Sequence, residues 1–110
     1  MKIIKIKQAL TRLKKINEEI RYTSLAEGRG YSSGLILFRP GSNADPKRIN
    51  HSDKDVICHV LKGRGRLRVN KRKIALAAGT FCHIPRGTPH DFAAGRKSNL
   101  VLFYSLIKTR

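Results

Sequence analysis

Gly79-Thr80-Phe81-Cys82-His83-Ile84-Pro85-Arg86-Gly87-Thr88-Pro89-His90 reads as one short strand framed by two turns, with a histidine where the next strand opens. Gly79 permits a tight turn into the strand, because without a Cβ it can take a left-handed backbone. Pro85 ends the strand, where a missing N–H does little harm. Gly87 supplies the positive φ of the turn that sends the chain back. His90 then brings an imidazole to the start of the following strand, and a neutral imidazole can bind a metal or exchange a proton.

Working outward, the same texture continues. Residues 21–26, 34–38, 48–51, 56–61, 66–69, 73–77, 80–85, 90–93 and 100–106 read as strands, with Gly28-Arg29-Gly30, Pro40-Gly41 and a hairpin tip at Asn70-Lys71 between them. Short strands this closely spaced predict a sandwich or barrel. Ahead of them, residues 2–7 alternate loosely and could open as a strand. Ile6, Leu10, Leu13 and either Ile16 or Ile20 then fit one helical stripe, predicting a helix that ends before Arg21.

The chain has 110 residues, enough for one domain, and its 40% hydrophobic content allows a packed core. It has no apolar run long enough to span a membrane and no continuous apolar core near Met1, so the expectation is a cytoplasmic protein without a membrane partner. Cys58 and Cys82 are too few for a disulfide framework and are expected to stay reduced. The net charge of +17 comes from 24 Lys and Arg against 7 Asp and Glu. Only +5 of it lies in residues 1–23, seven basic side chains against two acidic, so the charge is diffuse rather than a basic tail. Such a chain attracts anions without a dedicated motif.

The segment from Gly79 to His90 resembles the second signature of the cupin superfamily: Gly, five residues, Pro, one residue, Gly, two residues, His. Val60-Leu61-Lys62-Gly63-Arg64-Gly65 resembles the end of the first signature, and the order and distance of the two also suit the family. The resemblance covers residues 33–107. It implies an all-β fold, a cupin-like double-stranded β-helix or jelly-roll barrel, to which the apolar stripe adds a short N-terminal helical segment. Residues 1–22 would then be a segment packed on the barrel or on a partner subunit, and residues 23–110 the barrel domain. Function does not follow from the fold, since cupins host isomerases, dioxygenases, decarboxylases, sugar-binding domains and storage proteins.

The departures from the family pattern matter. The first signature ordinarily carries His-x-His and then a Glu seven residues before its last Gly; here the nearby histidine is His51, and Val56 stands at the Glu position. The usual three-histidine, one-glutamate metal set is absent. In an extended segment residues two apart share a face, so Asp53 can accompany His51. His51, Asp53 and His90 would then hold a divalent transition metal with open positions, Asp55 being the reserve carboxylate. In the rival reading the site has decayed, and Asp53 and Asp55 are turn residues. The resemblance also turns Val56, Cys58 and Val60 inward, so that His51, Asp53, Cys58 and His90 form the candidate ligand-binding set.

Three further features have plainer readings. Cys58-His59 and Cys82-His83 could be a second thiol/imidazole site, but buried thiols with surface histidines are favoured. Arg64, Arg66 and Arg68 alternate along one face and read as a solvated surface, so any nucleic-acid contact would be non-specific. The basic N-terminal segment is expected to dock its apolar stripe on the barrel or a second subunit. The favoured function is that of a small cupin taking a small molecule in its pocket, and the resemblance implies a homodimer. The alternatives are a metal-dependent enzyme of dioxygenase or sugar-isomerase type, and a basic nucleic-acid-associated protein.

Overall fold

The computed structural model describes residues 1–41 and 53–109. A single helical turn, α1 (Ile6–Ala9), precedes eight strands: β1 (Lys14–Lys15), β2 (Ile20–Gly28), β3 (Tyr31–Phe38), β4 (Lys54–Val69), β5 (Arg72–Ala77), β6 (Phe81–Ile84), β7 (His90–Ala94) and β8 (Leu100–Lys108). All pairings are antiparallel. One layer runs β1-β2-β3-β8-β4-β6, and the other runs β5-β4-β7. The expected strand at residues 48–51 lies outside the described residues.

β4 belongs to both layers. Its first half pairs with β8 and β6, and its second half with β5 and β7. The sequence reads as two strands here, 56–61 and 66–69, because Gly63 and Gly65 look like a break. They bend the strand without ending it. The register slips between Val60 and Lys62, and Gly63 takes φ 87°. A Cβ on Gly63 would overlap the Asn99 carbonyl oxygen, and one on Gly65 the Ala93 carbonyl oxygen. The bulge and the glycines together redirect one strand from one sheet into the next.

Strand alternation builds the core between the layers. β8 turns Leu100 and Leu102 inward, β3 turns Phe38 inward, and β4 contributes Val56, Val60 and Leu67. The turn chemistry stands as read: Gly79 and Gly87 have φ 91° and 77°, and Asn70 at the β4–β5 tip has φ 56°.

The N-terminal expectations need correction. Residues 2–7 form no strand, and the helix spans four residues rather than continuing toward Ile20. The apolar stripe is present but is used differently. Ala9, Leu10 and Leu13 pack against Leu25, Leu35 and Phe103 on the outer face of the larger sheet. Beyond them Lys14 and Lys15 pair with Tyr22 and Arg21, and Asn17 Oδ1 accepts the N–H groups of Glu19 and Ile20 at 2.8 and 2.9 Å. That asparagine turn fixes a hairpin where a helix would have continued. β2 crosses residues 22 and 23, so the N-terminal segment joins the barrel through a continuous strand. Among the described residues, no helix is long and apolar enough to cross a membrane.

Candidate functional site

A cavity of about 220 Å³ lies inside the barrel between the two layers. Ile36, Phe38, Val56, Phe92, Leu102 and Leu106 form its walls, and Ile16 of the β1–β2 connection stands at its rim. Its polar atoms come from Tyr22, Cys58, His90 and Tyr104. A larger hollow of about 370 Å³ opens at the β5–β6 edge beside the exposed Ile74 and Phe81, but it includes neither Cys58 nor His90. Both sheets contribute to each hollow, and the barrel cavity is the one that holds the His90 imidazole and the buried Cys58 thiol.

His90 reaches the cavity because the Gly87 turn delivers it as the first residue of β7. It is 3% exposed. Its Nδ1 lies 2.8 Å from the Thr88 carbonyl oxygen, and since a carbonyl only accepts, Nδ1 carries the proton. In the neutral ring Nε2 is therefore the acceptor nitrogen. The imidazole stands edge-on to Phe92 at 5.8 Å between ring centroids, and Phe92 in turn lies 5.8 Å from Phe38. Tyr104 is opposite Gly34 in the β3–β8 ladder. A Cβ at Gly34 would come within 2.6 Å of the Tyr104 hydroxyl, so the glycine leaves room for the phenol.

The cavity groups resist ionisation. Burial, with the Cys82 thiol beside it, pushes the Cys58 thiol up to about 12. Burial also raises the Tyr104 phenol, helped by the nearby Tyr22 and Glu27. Both are protonated at neutral pH. None of the described lining residues is a lysine, arginine, aspartate or glutamate, although the chain carries +17.

The structure brings His90 and Cys58 together in this cavity, while His51 lies outside the described residues. Asp53 does not line the cavity. It is exposed, and its backbone carbonyl accepts the Thr109 N–H at 3.1 Å. Asp55 also turns outward, accepting from His83 Nε2 at 3.0 Å and from the Arg86 N–H at 2.9 Å. Those bonds, the His83 one first, hold its carboxyl below the usual range. The reason is alternation: β4 turns Val56, Cys58 and Val60 inward, and residues of the opposite parity face out.

The Cys-His echo resolves the same way. Cys58 and Cys82 are cross-strand partners, both free, with Cys58 buried and Cys82 partly so. His59 and His83 are exposed. Sequence reasoning missed Tyr22, Phe38, Phe92 and Tyr104. Alternation would have found two of them, since Phe92 shares parity with His90 and Tyr104 shares it with Leu102.

A metal fits the described residues poorly. No three His, Cys, Asp or Glu side chains among them stand close enough to hold an ion, and the cavity offers one imidazole and one firmly protonated thiol.

The model of the family described as "Cupin domain" matches residues 34–105. The chain belongs to the cupin family. Solved structures agree on the fold. TT1209 from Thermus thermophilus is 21% identical with a TM-score of 0.76, covering 98% of each chain. KdgF from a Halomonas species is 20% identical with a TM-score of 0.74, covering 88% of each chain. The cupin domain of Schizosaccharomyces pombe Cnp3 is 16% identical with a TM-score of 0.77, covering 88% of this chain and 68% of that one. No curated protein matches this cupin.

Proposed function

We propose that this cupin binds a small, neutral, largely apolar molecule in the barrel, with the imidazole of His90 as its polar anchor. The observation that carries the reading is the lining: apolar walls, no described charged side chain, and a thiol and phenol that stay protonated. A charged ligand would have to leave water for walls whose described residues offer no counter-charge, at a cost that binding rarely recovers. A ligand with an apolar body and one hydroxyl or N–H instead gains buried area and one oriented hydrogen bond, the usual composition of a small-molecule pocket.

The same lining argues against a sugar phosphate. A solved structure titled a putative mannose-6-phosphate isomerase, from Ralstonia eutropha, is 12% identical with a TM-score of 0.76, covering 92% of this chain and 95% of that one. A likeness at that identity concerns the fold, and the described lining of the cavity has no cation to receive a phosphate.

Ligand-observed NMR tests the reading with a panel of phenol, benzoate and mannose 6-phosphate. Phenol should bind, and His90→Ala should weaken it. Benzoate should bind at least about tenfold more weakly, because its charge finds no partner. Sugar-phosphate binding that His90→Ala abolishes would overturn the proposal.

A further inference from the structure

The smaller sheet has an outer face that the barrel cavity does not use. β4 turns Leu67 and Val69 toward the core, so Arg64, Arg66 and Arg68 all point outward in one column. Lys73 is opposite Arg68 on β5. Around the arginines the cross-strand neighbours are small: Ala77 opposite Arg64, and Ala75 and Ala93 on either side of Arg66. Long cationic side chains therefore rise from a low floor.

The one carboxylate among the described residues of this face is Asp91, and it organises the cations rather than cancelling them. Its side chain is 4% exposed, lying 3.0 Å from Arg66 Nη1 and 3.6 Å from Arg68 Nε. One buried charge thus holds two guanidiniums side by side. The Arg68 Nε is itself buried without a hydrogen bond. Four cations against one anion leave the face strongly positive.

We infer that this face docks the phosphate backbone of duplex nucleic acid. Alternate residues of a strand are about 6.7 Å apart, and all three arginines repeat at that interval. One DNA strand presents a phosphate for about every 3.4 Å of helix axis, and the turn of the strand around that axis separates successive phosphates by roughly 7 Å, nearly the same step. Guanidiniums suit phosphate oxygens because their donors form a planar fork. The described face has no aromatic side chain on which an unpaired base could stack, which favours a duplex over a single strand. Nothing on it reads base edges, so recognition is of backbone and not of sequence.

Fluorescence anisotropy with a short mixed-sequence DNA duplex, titrated across about 50–200 mM salt, tests this. Arg66 and Arg68 are left intact, because removing either would strand Asp91. The double substitution Arg64→Ala/Lys73→Ala should weaken binding about tenfold or more and reduce the salt slope by about 2, roughly one for each lost phosphate contact. Lys7→Ala/Arg12→Ala makes the same change in net charge on the N-terminal segment, at the far side of the barrel, and should stay within about twofold of the parent. Equal losses from both doubles would reduce the effect to total charge and overturn the assignment. So would failure of the parent to bind at the lowest salt, or tighter binding to phosphatidylserine vesicles than to the duplex.

Discussion

Val56→Phe asks whether the barrel holds open space or only a loosely packed core. Val56 is 4% exposed, between Ile84 of β6 and Leu106 of β8, and it faces the cavity. Phenylalanine adds four carbons there. At about 0.8 kcal/mol for each buried carbon they contribute roughly 3 kcal/mol. Forcing a larger side chain into a packed core costs about 1–3 kcal/mol. With about 220 Å³ to receive the ring, the gain should equal or exceed the strain. The midpoint of thermal unfolding should therefore hold or rise, each kcal/mol being worth about 4–8 °C in a domain of this size. The ring would project into the space that phenol needs, so phenol affinity should fall at least about tenfold. Differential scanning calorimetry and the NMR titration read the two effects separately. A midpoint lower by more than about 10 °C with phenol binding intact would mean that Val56 abuts filled core and that the ligand sits elsewhere.

Two other outcomes follow from the same structure. Asp55 is depressed below its ordinary value of 3.8 by His83 and the Arg86 N–H, so it adds stability above the unfolded carboxyl value and loses it as pH falls through the folded one. Asp55→Asn should thus be less stable than the parent in urea melts at neutral pH, and the gap should close on acidification below that value; a gap that persists in acid would put its origin in packing. Cobalt(II) titration should give no tetrahedral absorption bands that depend on His90, because the described lining supplies no donor set for the ion; bands lost in both His51→Ala and His90→Ala would reinstate a site of two imidazoles.

Local backbone chemistry was the most legible part of the sequence. Gly79, Gly87 and Asn70 each adopt the positive φ their neighbours imply, because that constraint needs no knowledge of distant residues. The family resemblance turned Val56 and Cys58 inward, and both line the cavity; strand alternation set Asp91 away from His90, where it meets Arg66 and Arg68. The failures needed tertiary information. The stripe of Leu10 and Leu13 is real, but a single turn followed by a hairpin satisfies it once Leu25, Leu35 and Phe103 provide the opposing surface. Gly63 and Gly65 looked like an interruption, and only the close approach of the Asn99 and Ala93 carbonyls shows that a continuous strand needs them. The inward reading of Asp53 counts two residues from His51, which lies outside the described residues. Counting back from Cys58 along β4 places Asp53 outward.

The charge distribution ties the two surfaces together. A basic exterior gathers anions near the chain, but the described lining of the barrel offers them no counter-charge. A neutral ligand needs none, and its transfer into the apolar cavity depends on buried area rather than on the field outside. Alternation along β4 keeps these two chemistries apart. On one side of the strand, Val56, Cys58 and Leu67 build an uncharged interior; on the other, Arg64, Arg66 and Arg68 collect charge on a face turned away from it. Because guanidinium and cavity lie on opposite faces of one strand, the sheet itself separates them. Substitutions in the arginine column that spare Asp91 and its partners should leave the lining in place, just as substitutions at Val56 leave the column in place. A chain can therefore carry +17 and still keep charged side chains out of the described lining of its pocket, since the period of two sorts its side chains before any packing does.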